Sequence, residues 1–155
     1  MKVNIKNTHF NNTILINCKF HNSDIQESSF IYAEFKHVLF RTTTIKHTLI
    51  TNAVMHCETR ISRSELHDVN FTQSELRDIQ IADVVFNKCE FLKSNIIDVY
   101  GQKIKFHICG LDCNNICGLT LMFPNEQYVK VFVDMLPEKF RHYLHIEDKI
   151  VRITQ

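Results

Sequence analysis

The sequence predicts an all-β solenoid, a quadrilateral β-helix in which each side of the prism is one five-residue unit. Three observations predict it. First, large apolar side chains fall on every fifth position from Ile5: Ile5, Phe10, Leu15, Phe20, Ile25, Phe30, Phe35, Phe40, Ile45, Ile50 and Met55. An α-helix repeats its apolar face about every 3.6 residues and a half-buried strand about every 2, so a strict period of five belongs to neither. Second, the residue two places before each large one is small or β-branched: Thr8, Thr13, Cys18, Ser23, Ser28, Ala33, Val38, Thr43, Thr48 and Ala53. Third, the 155 residues include only 3 Gly and 2 Pro, so a chain that turns this often must turn on ordinary residues.

Two inward columns per five residues define one side, and four sides close a coil of 20 residues that stacks on the next at the strand spacing of about 4.8 Å. The frame slips by one residue within His56-Cys57-Glu58, which predicts a bulge at one corner. From Ile61 the large column resumes through Leu66, Phe71, Leu76, Ile81, Phe86, Phe91 and Ile96 to Leu121, with Gly101 as its single lapse. Gly101 stands in no phosphate-cradling glycine cluster and is expected to relieve packing or bend the coil. Residues 20 apart, or 21 across the slip, become neighbours, so one inner column runs Phe10, Phe30, Ile50, Phe71, Phe91, Leu111 and another Phe20, Phe40, Ile61, Ile81. Asn7, Asn12, Asn17 and Asn22 share the corner position on the first four sides, where Asn tolerates tight turns.

After Leu121 the period changes. Tyr128, Val131, Phe132, Met135 and Leu136 share one helical face, with Asn125 placed to cap it after Pro124. Phe140, Tyr143 and Leu144 form a second short stripe after Pro137, and KIVRI reads as a closing strand. The expected organisation is a β-helix over residues 1–122 and a short C-terminal helical cap over 123–155, which covers the open apolar end of the solenoid.

The paired columns, with Asn4, Asp24, Asn70, Asn95 and Asn115 before the large residue, resemble those of the pentapeptide-repeat family over roughly residues 3–122. Phe and Ile often stand here where that family has Leu. The resemblance implies a right-handed quadrilateral β-helix. It also implies two functional precedents: dimers formed through the C-terminal segment, and acidic rods that mimic duplex DNA and bind type II topoisomerases such as DNA gyrase, protecting them from quinolones.

The chemistry of an enzyme is missing from the pattern. Nine His are scattered, without an HExxH pair or a nucleophile at a glycine elbow, and a smooth prism offers no cleft for paired carboxylates. Of the 6 Cys, Cys18, Cys89 and Cys109 fall in the small inward column, whereas Cys113 and Cys117 fall outward. They cannot converge on one ion, and Cys89 and Cys109, though one coil apart, point the same way, so free thiols are expected rather than a metal site or disulfide. The expectation is a non-catalytic protein with no cofactor and no metal. No run approaches the ~18 apolar residues of a membrane span, and the first residues lack the apolar core of a secretory leader, so a cytoplasmic protein is expected.

Charge supplies what remains. The formal net charge is +1, divided as +3 over residues 1–57 (6 Lys/Arg, 3 Asp/Glu), −3 over 58–98 (5 against 8) and +1 over the rest (7 against 6). Glu75, Asp78, Asp83 and Asp98 gather on adjacent sides of the middle segment and are the candidate partner-binding residues, with Asp78 and Asp98 one coil apart. Asp68 lies beneath Lys88, a ladder of opposite charges. The leading expectation is a scaffold or modulator that binds another protein through a flat side of the rod or the dimer end. The alternative is a DNA-mimicking gyrase binder, which the net charge of +1 weakens because phosphate-binding grooves select dense negative charge. Direct nucleic-acid or membrane binding is not expected. For the C-terminal segment, Tyr128, Val131, Phe132, Met135, Leu136, Phe140, Tyr143 and Leu144 are the residues that would cap the rod or join two copies.

Overall fold

The computed structural model describes residues 3–91, 93–97, 100–107, 120–122, 125–135 and 138–153. Asp98, Leu111, Leu136 and the cysteines Cys109, Cys113 and Cys117 lie outside them. The chain coils as the period of five requires. Side one stacks the strands Asn4–Lys6, Asp24–Gln26 and Thr44–Lys46, then the second halves of Arg60–His67, Gln80–Asn87 and Tyr100–His107. All pair in parallel, with the central residues in register from Ile5 through Ile25, Ile45, Leu66 and Phe86 to Phe106. Side three is built in the same way from Ile14–Ile16, Glu34–Lys36, Val54–His56, Glu75–Arg77 and Asn95–Ile97. Side four holds Lys19–His21, Leu39–Arg41 and the first halves of the three long strands. Side two has single bridges only, at His9, Ser29, Leu49, Asn70 and Glu90.

The corners from Asn7 to Lys93 each turn on a non-glycine residue in the left-handed region, with φ from 48° to 59°, and the frame slip adds a second one. Asn7, Asn12, Asn17, Asn22 and Asn52 suit that conformation, while Tyr32, Thr42 and Lys88 adopt it against their preference. The scarcity of glycine is thereby explained. At the frame slip, Cys57 (φ 53°) and Glu58 (φ 59°) are both left-handed, so two residues share one corner. Their backbones divide the neighbouring coils between them: the His37 amide donates to the Cys57 carbonyl at 3.2 Å, and the Glu58 amide donates to the Asp78 carbonyl at 3.2 Å. The strands on either side keep their register, now 21 residues apart.

The large column fills the axis. Phe30, Phe35, Phe40, Phe71, Phe86 and Phe91 are fully buried, whereas Ile5, Phe10, Leu15 and Phe20 in the first coil are only partly so. The strand spacing sets rings face to face: Phe10 on Phe30 at 4.9 Å, Phe20 on Phe40 at 5.0 Å, Phe71 on Phe91 at 4.9 Å. The small column does more than save space. From Ser23 onward its hydroxyls are buried and bond to backbone: Ser64 donates to the Ser62 carbonyl at 2.8 Å and accepts from the Thr43 amide of the coil below at 3.1 Å. Ser28 and Ser74 accept in the same way from the amides of Thr8 and Ala53. Among the described residues no buried side-chain nitrogen or oxygen lacks a partner.

The parallel stack ends in a reversed strand. Thr120–Met122 continues side four, and Ile150–Ile153 pairs with it antiparallel, Leu121 opposite Val151; Leu144–Glu147 then forms the outer edge as the other arm of a hairpin that turns at Asp148 (φ 53°). Helix α1, Glu126–Met135, follows Asn125 as its apolar period predicts, and Val129 on it is buried. The second stripe is not one helix. Helix α2 spans only Glu138–Arg141, Tyr143 lies in the turn after it, and Leu144 opens a strand. The reason is local: from Leu144 the sequence offers a register that pairs with Val151 and Arg152, and strand pairing outcompetes two further residues of an isolated short helix.

Candidate interaction surface

Outward side chains line up in columns because each coil repeats the orientation of the last. The acidic candidates occupy three places in one coil. Glu75 lies on side three, where Arg77 Nε donates to its carboxylate at 2.9 Å. Asp78 is the exposed corner between sides three and four, and Asp83 the exposed corner between sides four and one. The pairs Ala82↔Ser62 and Val84↔Ser64 set Asp83 directly above Arg63. Asp98, expected to stack on Asp78, lies outside the described residues.

The other acids of the middle segment are matched with bases or amides. Glu65 meets His67 at 3.3 Å, Glu58 meets Arg60 at 3.5 Å, and the Asn70 amide donates to Glu90 at 2.7 Å. Asp68 pairs with His47 of the coil below at 3.5 Å, so its recorded ionic contact is with the opposite neighbour from Lys88. The acidic region is therefore finely divided by cations rather than a continuous anionic stripe.

Side four carries a feature that the segment charges hid. Lys19, Leu39 and Arg60 form one outward column and His21, Arg41 and Ser62 the other, with Arg63 at the adjoining corner. Lys19, Arg41, Arg60 and Arg63 are exposed, and among the described residues only Arg60 of these four has a recorded ion pair. One coil further, Asp78 and Asp83 flank the same side. A flat, hydrogen-bonded side thus runs from cationic to anionic along the rod axis. Its residues come from both sides of the frame slip, which is why totals taken over sequence segments missed it.

Of the C-terminal candidates, Tyr143 is 43% exposed and Leu144 is partly buried against the core. Tyr128, Val131, Phe132 and Met135 lie in α1 and Phe140 in α2; Leu136 is outside the described residues. Among the described residues no cluster of three or more His, Cys, Asp or Glu is arranged to hold a metal ion, and no helix is long and apolar enough to cross a membrane. A shallow open depression of about 440 Å³ on side two is lined by His9, Ser29, His47 and Leu49 among others.

Residues 4–41 match the family model of pentapeptide repeats, in 8 copies. Those residues carry pentapeptide repeats. No curated protein matches it. Among solved structures, the pentapeptide-repeat protein Rfr23 from the cyanobacterium Cyanothece 51142 superposes with a TM-score of 0.55 at 11% identity, over 71% of this chain and 85% of that one. QnrB1, a plasmid-mediated fluoroquinolone resistance protein, aligns in a trypsin-treated form at 10% identity over 86% of this chain and 97% of that one, with a TM-score of 0.33. Its full-length form gives 0.27 at 10% identity, over 87% and 98%. At these identities the likeness concerns the fold; the QnrB1 superpositions carry nothing about what this chain binds.

Proposed function

We propose that this protein is a non-catalytic scaffold or modulator that engages another protein through side four. One observation carries this reading: three exposed cations, Lys19, Arg41 and Arg63, stand without an ion pair among the described residues on a flat sheet face, beside the exposed Asp78 and Asp83. Charges without a partner of their own have no ion pair to break, so they are free to match a complementary protein face and steer its approach. The partner favoured by this order of charge presents acids opposite the first three coils and bases opposite the next.

DNA mimicry at a type II topoisomerase is the competing function. It draws on Asp78 and Asp83, but Arg60 and Arg63 sit one coil away on the same side and interrupt the anion spacing a phosphate groove would read. The test uses the full chain as bait in native lysate, with Lys19→Glu, Arg41→Glu and Arg63→Glu combined, and with Asp78→Lys and Asp83→Lys combined. Proteins held by the wild type and lost with both variants support side four; equal capture by all three overturns it. Gyrase supercoiling with and without quinolone, titrated with the same proteins, decides the competitor: a protective effect abolished by the Asp variant would replace the scaffold reading with mimicry.

A two-fold dimer through the C-terminal segment has its own support. Leu144–Glu147 is the edge strand of the sheet, and it presents Ile146 at 47% exposure beside Tyr143. An apolar edge strand pairs readily with a second copy. Sedimentation velocity tests it: a dimer that Ile146→Lys converts to monomer supports the interface, and a wild-type monomer removes it.

A further inference from the structure

The corner that absorbs the extra residue brings three reactive groups into line. Cys57 Sγ lies 3.1 Å from His56 Nδ1, and His56 Nε2 lies 2.8 Å from Glu34 Oε1. Glu34 comes from the preceding coil, where Lys36 stands in register with His56, and the Lys36 ammonium binds the same carboxylate at 2.9 Å. All three members are partly exposed: Cys57 is half-buried, and the His56 and Glu34 side chains are 26% and 31% accessible. The Lys36 ammonium, and after it the His56 ring, hold the Glu34 carboxyl below its ordinary value of 4.5, so it is an anion at neutral pH. An anionic Glu34 accepts a hydrogen bond from Nε2–H, which leaves Nδ1 as the lone-pair nitrogen facing the thiol. A nucleophile within reach of a base, and the base oriented by a third group, is the arrangement that activates cysteine. Cys89 is buried and bonds to the Leu66 carbonyl at 3.5 Å, and Cys18 donates to the Ile16 carbonyl at 3.6 Å. Sγ and Oε1 sit on opposite edges of the imidazole, so the trio cannot converge on one metal ion.

We propose that Cys57 is a thiol–disulfide exchange site, a surface thiol that His56 activates towards low-molecular-weight disulfides. His56 Nδ1 takes the Sγ proton, and the thiolate attacks one sulfur of the incoming disulfide. A new S–S bond forms as the old one breaks, and the expelled thiolate leaves with the bonding pair and is protonated by the imidazolium or by water. One disulfide is consumed and one mixed disulfide is made, so the incoming disulfide is the only oxidant. Both left-handed residues of this corner keep the site at the edge of sides three and four, where a small disulfide reaches it without entering the core. The mixed disulfide would place a new substituent at the corner between His37 and Glu58, at the margin of side four, and thereby alter what that side can dock.

The test uses the intact chain with limiting dithiodipyridine, a neutral disulfide whose approach is not steered by Lys36. Released thiopyridone gives the rate, and peptide mass mapping gives the site. A free thiol is only a few per cent thiolate at neutral pH, which leaves room for roughly ten-fold activation once the lower nucleophilicity of an acidified thiol is counted. Cys57 should take the first equivalent about ten-fold faster than Cys18. His56→Asn should slow it by about ten-fold and Glu34→Gln by about three-fold, with the Cys18 rate unchanged. Equal rates at Cys57 and Cys18, or a Cys57 rate indifferent to His56→Asn, overturn the proposal. If His56→Asn loosens the coil, buried Cys89 will react as well; Glu34→Gln then decides, and an unchanged Cys57 rate in that variant overturns the proposal.

Discussion

Phe71→Ala is the most informative perturbation of the fold. Phe71 is fully buried, stacks on Phe91 at 4.9 Å with rings 2° from parallel, and meets the edge of Phe86 at 6.3 Å. Truncating a buried Phe costs about 3–5 kcal/mol, within which the lost ring stack accounts for roughly 0.5–1.5 kcal/mol. Phe10 makes the same kind of stack, on Phe30 at 4.9 Å, but in the first coil, where it is only partly buried and has a coil on one side. Its truncation should cost about half as much, roughly 1.5–2.5 kcal/mol. Urea unfolding followed by far-ultraviolet circular dichroism measures both. Since each coil contacts only its neighbours, the difference reports position along the stack and not residue type. Equal losses from Phe10→Ala and Phe71→Ala would refute the stacked-coil energetics.

Ser64→Ala removes the acceptor of the buried Thr43 amide and should cost about 1–3 kcal/mol in the same urea assay, far more than its small change in volume implies. Thr42→Asn should stabilise by roughly 0.5–1 kcal/mol, seen as a Tm raised by about 1–4 °C, because Thr42 sits at φ 53° and a β-branched residue resists that region more than Asn does. The Glu34 carboxyl should titrate below 4.5 by carbon-detected NMR, and Lys36→Met should move it upward. Because its value is depressed in the folded state, Glu34 contributes stability above 4.5 that disappears as pH falls through the folded value, and Glu34→Gln should remove that part of the acid dependence.

The fold was legible because burial enforces the period. A coil whose axis admits one large and one small side chain per side writes both columns into the sequence, and Ile5 through Met55 and Thr8 through Ala53 record them without a gap. The corner Asn column was legible for a related reason, since Asn tolerates the left-handed turn. Tyr32, Thr42 and Lys88 adopt the same turn without that preference, so they gave no local sign of it. The hydroxyl ladder hid behind size: Ser and Thr satisfy a steric rule that Ala and Val also satisfy, and only the coil geometry places Ser64 beneath the Thr43 amide. At the far end Leu144 fits a helical stripe and a strand equally well, and its partner in the register, Ile153, lies too far along the chain for periodicity to reveal. Side four and the Glu34-His56-Cys57 trio were obscured by the same mechanism. Their members lie about 20 residues apart and become neighbours only through the stacking register, which segment charges and short motifs do not sample.

The central claim is that one coil is one repeat of the rod, with residues 20 or 21 apart in the chain adjacent in space. Nitroxide pairs on one outward column of side one test it directly, with one label at Lys6 and the other at His67, Asn87 or His107 in turn, three, four and five coils away. The backbone separations should be about 14, 19 and 24 Å, rising by ~4.8 Å per coil, so the double electron–electron resonance distances should climb in equal steps. Distances that fail to rise in order, or that rise by much more than one strand spacing at each step, would contradict the stacked prism.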